Sequence, residues 1–238
     1  MLGNVVNQEV RVPPSATGRE RNARGRGDLL RAQFVTAATE LLGQVERPEQ
    51  LTLRMVARVV GVSPASIYSH FADLDSLVAQ VLLDLLEELT ASVEAAVAAT
   101  KSPEDGLLAA CLAYTHWGLD HPGHYRVVFG GRIDPVLHDR VGGPTGSRLI
   151  DNLSRSLAEA TTHAENDGNL AEPSVSRGLL LWTSLHGLVV LRIDKQTLDW
   201  PSSSDHVVDL IAMFTDRPRA HLRAAAASMN AVGTVRRR

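Results

Sequence analysis

Residues 51–71 read LTLRMVARVVGVSPASIYSHF, and this stretch decides the fold. In its first half Leu53, Val56, Ala57 and Val60 recur at three- and four-residue spacing, so they share one apolar helix face. Thr52 stands just ahead of that face, where its hydroxyl can accept a bond from an orphan backbone N–H. Gly61 is the stop, because glycine alone enters the left-handed C-terminal conformation at little cost. Ser63 is a second N-cap, and Pro64 suits the first helical position, where no N–H is needed. The helix it opens turns Ile67 and Phe71 inward and leaves Ala65, Ser66, Tyr68, Ser69 and His70 available outside. Two helices joined this way form a helix-turn-helix, whose second helix lies in a major groove of DNA.

Thr52, Val56, Ala57, Gly61, Val62, Ser63, Ser66, Ile67, Tyr68, His70 and Phe71 together match the DNA-binding signature of TetR-family transcriptional regulators, and the chain resembles that family at these positions. The resemblance implies an all-α homodimer: an N-terminal three-helix helix-turn-helix domain, then a larger helical domain for ligand sensing and dimerisation. The competing account of the same residues is a hairpin of two buried amphipathic helices with no DNA role.

The chain has 238 residues, enough for one large or two modest cores. Alanine, valine and leucine dominate its apolar set, which suits helices better than sheets. Cys111 is the single cysteine, so no internal disulfide can form and a reducing, cytoplasmic setting is expected. No apolar run approaches the roughly twenty residues that span a bilayer, so no membrane role is expected. The N-terminus also lacks the charged-then-apolar order of a secretion signal. Charge is distributed unevenly. Residues 1–72 hold nine arginines against six acids, and residues 73–238 hold fifteen basic residues against twenty-one acids. A basic head on an acidic body fits a partner made of phosphates at one end only.

Residues 1–27 are interrupted by Pro13, Pro14, Gly18, Gly25 and Gly27 and are expected to form a disordered basic arm. Its charge comes from Arg11, Arg19, Arg21, Arg24 and Arg26. Such an arm can lie along phosphates or enter a minor groove, or it can be a solvated tail. Asp28 is expected to cap the first helix, with Leu29, Leu30, Phe34, Ala37, Ala38, Leu41 and Leu42 inward as far as Gly43. Residues 28–73 then make the DNA-binding domain and residues 74–230 the sensing and dimerisation domain, with 231–238 a basic tail. Asp73 can cap a long helix from Leu74 to about Ala99. By resemblance that helix is the lever that passes a ligand's effect to the head. Many relatives place a phosphate-touching lysine where this chain has Leu74, so affinity here would lean on Arg54 and the arm.

Further helices are expected at about 103–120, 122–129, 134–140, 147–166, 173–193, 205–215 and 220–229, with a turn at 167–169 and no strand. In LLLWTSLHGLVVLRID, residues 179–194, Trp182 and His186 lie four apart on one helix face. With Gly187 they resemble the Trp-His-Gly subgroup of the same family, as does HPGHYRVVF at 121–129. Gly187 would let another helix approach closely. His116, Trp117, Tyr125, Phe129, Trp182 and His186 are the expected lining of an effector pocket, largely apolar with a few orienting polar groups. The alternative is that Trp182 and His186 simply pack the core. Leu181, Leu185, Leu188, Val208 and Ile211 are the expected dimer contacts, by analogy with the family's four-helix interface, with core packing within one subunit as the competing account for any one of them.

No enzyme is expected. The sequence contains no Gly-rich phosphate loop, nucleophile elbow or zincin motif, and no catalytic residue or cofactor is assigned. His116, His121 and His124, or His138 with Asp139, could be read as metal ligands. A proline and glycine at a helix end explain the first group as an interhelical turn, and no metal site is assigned. Cys111, in an apolar helix, reads as core. Two functions follow. One is a ligand-responsive DNA-binding regulator, a repressor released from a palindromic operator by a small molecule. Its DNA contacts would be Thr52, Arg54, Ser63, Pro64, Ala65, Ser66, Tyr68, Ser69 and His70. The other is a helical protein-binding scaffold without DNA function, favoured by Ser69 and Leu74, where relatives often carry basic residues.

Overall fold

The computed structural model describes residues 17–45, 50–130, 144–162 and 175–236. Among them are ten helices and no strand: α1 (Thr17–Gln44), α2 (Leu53–Val60), α3 (Pro64–Ile67), α4 (Leu74–Ala98), α5 (Pro103–Asp120), α6 (Pro122–Phe129), α7 (Pro144–Thr162), α8 (Val175–Asp194), α9 (Ser203–Thr215) and α10 (Arg219–Arg236). The protein is all-α, as its composition implies. The expected turn at 167–169, the short helix at 134–140 and the opening of a helix at Pro173 lie outside the described residues.

The caps explain most boundaries. Thr52 Oγ1 accepts from Met55 N at 3.3 Å and starts α2. Asp73 and Ser76 form a reciprocal capping box at α4, with Asp73 Oδ1 accepting from Ser76 N at 2.7 Å. Ser102 Oγ accepts from Asp105 N at 3.1 Å and opens α5 ahead of Pro103. Ser202, rather than Ser203 or Ser204, caps α9, accepting from Asp205 N at 3.0 Å.

Three expectations about α1 and the tail are corrected. Helix α1 begins at Thr17, eleven residues before the expected Asp28 cap, so residues 17–27 are helix and not arm. The helix propagates through Gly18, Gly25 and Gly27 because its C-terminal half is already held by packing, and extending an existing helix needs no new nucleus. The expected stripe of Leu30, Phe34, Ala37, Ala38, Leu41 and Leu42 packs inward, but Leu29 is 60% exposed and Val35 is buried in addition. At the other terminus α10 continues to Arg236, past the expected end at Met229.

One apolar cluster runs from Phe34, Leu42, Val56, Ile67 and Phe71 in the head, through Leu77 and Leu85 of α4, to Leu107, Leu153, Leu185 and Ile211 in the body. Helices α4, α5, α7 and α8 pack on one another, and α9 and α10 close over α5. Arg148 of α7 ties down α4 by pairing with Glu87 and Glu94, both at 2.9 Å, while Asn152 also donates to Glu94. These charges are well exposed, so they set geometry more than stability.

Glycine permits unusually close approaches at several positions. A Cβ on Gly123 would lie 2.3 Å from the carbonyl oxygen of Gly43, so α6 meets the end of α1 backbone to backbone. In α8 the close contact is at Gly178, where a Cβ would fall 1.8 Å from Ser154 Oγ. Gly187, expected to serve that purpose, has open space beside it within the chain.

Candidate functional site

The head presents one edge to solvent. Gly61 ends α2 at φ +79°, and both Gly61 N and Val62 N return to Ala57 O at 3.0 Å. A Cβ there would meet nothing, so the left-handed backbone and not crowding selects glycine. Ser63 holds the N-cap position of α3 but bonds no backbone N–H. Its hydroxyl lies 3.0 Å from Ser66 Oγ instead. Regular helix lasts only from Pro64 to Ile67. The chain then continues as turns, with His70 N and Phe71 N both 2.9 Å from Ile67 O. Ser69 Oγ donates to Ser66 O at 2.7 Å.

Ile67 and Phe71 are buried as expected, and they fix this segment against α1 and α2. Thr52, Arg54, Ser63, Pro64, Ala65, Tyr68 and Ser69 are exposed, Tyr68 at 61%, and Ser66 is half-buried. His70 differs. Its ring is half-buried, 5.6 Å from Phe34, and packs on α1 rather than standing free. Leu74 is partly buried against the core, so the position where relatives often place a lysine contributes packing here.

Inside the body, four of the six expected pocket residues come together with one that sequence reasoning missed. Tyr125 of α6 and Tyr114 of α5 share a 2.7 Å hydrogen bond between hydroxyls, and the Tyr125 hydroxyl also lies 2.8 Å from His186 Nδ1 of α8. Aromatic rings enclose this chain. His186 stacks on Trp182 at 5.6 Å, and Phe129 lies 4.7 Å from Tyr125 and 6.0 Å from Trp182. The Trp182 indole N–H is near Tyr114, yet no acceptor meets normal hydrogen-bond geometry. Burial pushes the pKa of the Tyr114 and Tyr125 hydroxyls well above the usual phenol range and holds that of His186 below the usual imidazole range. All three are therefore neutral near pH 7, as a site of low polarity favours.

Gly118 makes the cluster possible. A Cβ there would fall 2.7 Å from both the Tyr125 ring and Val189, so glycine lets α6 and α8 close on α5. Trp117 faces another way, donating from Nε1 to Glu88 of α4 at 3.0 Å. His116 is half-buried and sits about 200° around α5 from Tyr114, off the cluster's side. Tyr114 had a signal in the sequence, since a tyrosine within an apolar helix needs a partner for its hydroxyl. His121 and His124 stack in parallel at 5.7 Å beside the end of α1, with His121 Nδ1 3.0 Å from Trp117 O. Cys111 is fully buried, its thiol pushed up to about 12 by desolvation.

The expected dimer contacts are corrected. Leu181, Leu185, Leu188, Val208 and Ile211 are at most 6% exposed within the single chain, so they belong to its core. The outward line on α8 is Leu180 (58% exposed), Ser184, Gly187 and Leu191 (48%), with Met213 of α9 exposed at 75%.

Among the described residues no helix is long and apolar enough to cross a membrane. Residues 107–215 match the family described as the tetracyclin repressor-like C-terminal domain. The chain is 31% identical over 85 residues to the HTH-type transcriptional regulator BetI of Brucella anthropi, a match covering 36% of this chain and 43% of BetI. The chain thus spans less than half the length of that curated relative. A protein of unknown function from Rhodococcus sp. RHA1 shares the structure with a TM-score of 0.67 and 25% identity, over 79% of this chain and 94% of that one. The TetR-family regulator PfmR of Thermus thermophilus shares the fold with a TM-score of 0.54 and 16% identity, over 83% and 95% of the two chains. A capped helix-turn-helix thus stands in front of a body whose residues 107–215 are tetracyclin repressor-like.

Proposed function

We propose that the protein is a ligand-responsive, DNA-binding repressor that acts as a homodimer and leaves a palindromic operator when a small molecule occupies its body. The observation that carries this reading is the exposed edge running from Thr52 to Ser69 over a buried Ile67 and Phe71. Pro64, Ala65 and Ser66 offer small methyl and hydroxyl contacts to base edges in the major groove. Thr52, Arg54, Tyr68 and Ser69 position the head on phosphates. His70 supports the edge from behind, through Phe34. Residues 28–73 do this work, and residues 74–230 sense and dimerise.

The effector site we assign is the cluster of Tyr125, Phe129, Trp182 and His186, with Tyr114 added and Trp117 at its border. Its groups favour an uncharged, flat molecule. Aromatic faces stack on such a ligand, and an acceptor on it would satisfy the Trp182 N–H. A charged ligand would be desolvated beside neutral groups, at a cost that neutral partners repay poorly. The second copy packs along Leu180, Ser184, Gly187 and Leu191, where the missing side chain of Gly187 lets the partner helix come close. Half-sites would lie about one DNA turn apart or a little more. Fluorescence anisotropy against DNA from upstream of the protein's own gene, across a salt series with a shuffled competitor, tests the reading. Competitor-resistant binding with a steep salt slope is expected, and binding no tighter than to shuffled DNA would overturn it.

A further inference from the structure

We infer that the body cluster selects hydrogen-bond acceptors, flat carbonyl compounds above all, through the Nε2–H of a His186 held in a single tautomer. The inference rests on the effector-site reading and names the chemical class that this site takes. Stacking faces require only that a ligand be flat. What its polar atoms must do follows from where the hydrogens lie along Trp182, Tyr114, Tyr125 and His186.

That chain has one direction because its first group can only donate. An indole nitrogen carries a hydrogen and offers no lone pair, whereas a phenol or a neutral imidazole both donates and accepts. The Trp182 N–H lies near the Tyr114 oxygen, although too misaligned to make a full hydrogen bond. It still turns its positive end towards that oxygen, so the Tyr114 hydrogen is directed elsewhere. The partner on offer is the Tyr125 hydroxyl, 2.7 Å away. Receiving that hydrogen, Tyr125 donates its own to His186 Nδ1 at 2.8 Å. A neutral imidazole that accepts at Nδ1 carries its hydrogen on Nε2.

The reverse direction fails at one atom. If His186 donated to Tyr125 and Tyr125 to Tyr114, the Tyr114 hydrogen would be left facing the Trp182 N–H. Tyr114 is fully buried, so water cannot take that hydrogen, and a buried donor without an acceptor is the costlier defect. The favoured direction puts the spare donor on His186 instead, which is only half-buried. Its Nε2 stands on the ring edge away from the Tyr125 hydroxyl, and Phe129 and Trp182 flank the ring at 5.4 Å and 5.6 Å. Both hydroxyl hydrogens are spent, and each phenol oxygen already has a donor beside it. A ligand carbonyl oxygen completes this chain. A ligand N–H would meet another N–H.

The test uses the full chain and two measurements. Long-range proton–nitrogen NMR at about pH 7.5 reads which His186 nitrogen carries the hydrogen, with His186→Phe to assign the signal. The hydrogen is expected on Nε2 in wild type, and Trp182→Phe should mix the two tautomers, because nothing then opposes a hydrogen at Tyr114. The second measurement titrates indanone, indane and indole, flat bicyclic probes of similar size, and follows the Trp182 indole signal. Indanone only accepts, indole only donates at its nitrogen, and indane does neither. Indanone should bind about tenfold tighter than indane, the worth of one net hydrogen bond, and indole no tighter than indane. His186→Phe should remove the advantage of indanone. A His186 hydrogen on Nδ1, or indanone binding no tighter than indane or indole, would overturn the inference and leave the effector-site reading standing. If none of the three probes moves the Trp182 signal, the effector-site reading falls and the inference falls with it.

Discussion

The head and the body each contain a small web of polar side chains, and the two webs are built oppositely. In the head, Ser63, Ser66 and Ser69 bond one another or the backbone within three residues, at the surface. In the body, Tyr114, Tyr125 and His186 bond across eleven and sixty-one residues, in the interior. A local web in water costs little to open, so its hydroxyls can be exchanged for contacts with a partner. A buried web joining three helices cannot be opened without leaving polar atoms unpaired. The first arrangement suits a recognition edge, and the second suits a site whose occupancy is felt by α5, α6 and α8 together.

Five experiments break or sharpen this contrast. The largest effect is expected from Ile67→Ala, which removes the buried anchor under the exposed edge of the head. It should cost about 3 kcal/mol in urea unfolding, and because one core spans head and body the loss should appear in a single transition. A separate early transition for the head would show that the two regions are less coupled than their packing implies. Next, Tyr125→Phe should cost about 2 kcal/mol, since it strands both the Tyr114 hydroxyl and His186 Nδ1. Its counterpart in the head, Ser66→Ala, should change stability by less than about 0.5 kcal/mol while altering which DNA sequences are preferred. Between these lies Gly61→Ala, which forces a side chain into φ +79° and should cost about 1 kcal/mol.

The smallest effect concerns pH. Burial holds His124, His186 and His206 below the usual imidazole range. The unfolded chain then takes up protons first as pH falls. Stability is therefore intact above the unfolded value near 6.5 and declines as pH drops below it towards the folded values. Urea midpoints should be lower at about pH 5.5 than at about pH 7.5, and His186→Phe should shrink the difference. An unchanged difference would place the pH sensitivity outside the body cluster.

The same contrast explains what could be read from the chain. Thr52, Gly61, Pro64 and Ile67 declare the head within sixteen residues, because caps, stops and short apolar spacing are local. Asp73 and Ser102 fixed the starts of α4 and α5 for the same reason. In the body, Trp182 and His186 were visible as a pair on one helix, but nothing in the sequence places Tyr114 beside them. Periodicity also cannot say which of two apolar faces a helix buries. Leu185 and Ile211 went to the core and Leu180 and Met213 to the surface, the reverse of the dimer contacts expected. At α1 the glycines argued for a break, but helix propagation from the packed half carried the chain back to Thr17.

The backbone contact between Gly43 and Gly123 bears on recombination between relatives. A head grafted from a related protein, or a body exchanged beneath this head, brings its own residue to one side of that contact. Any side chain at position 123 would be driven into the last turn of α1. A Cβ at position 43 would meet only the His124 ring, at 3.2 Å, so this body should accept heads more freely than this head accepts bodies that lack the glycine at 123.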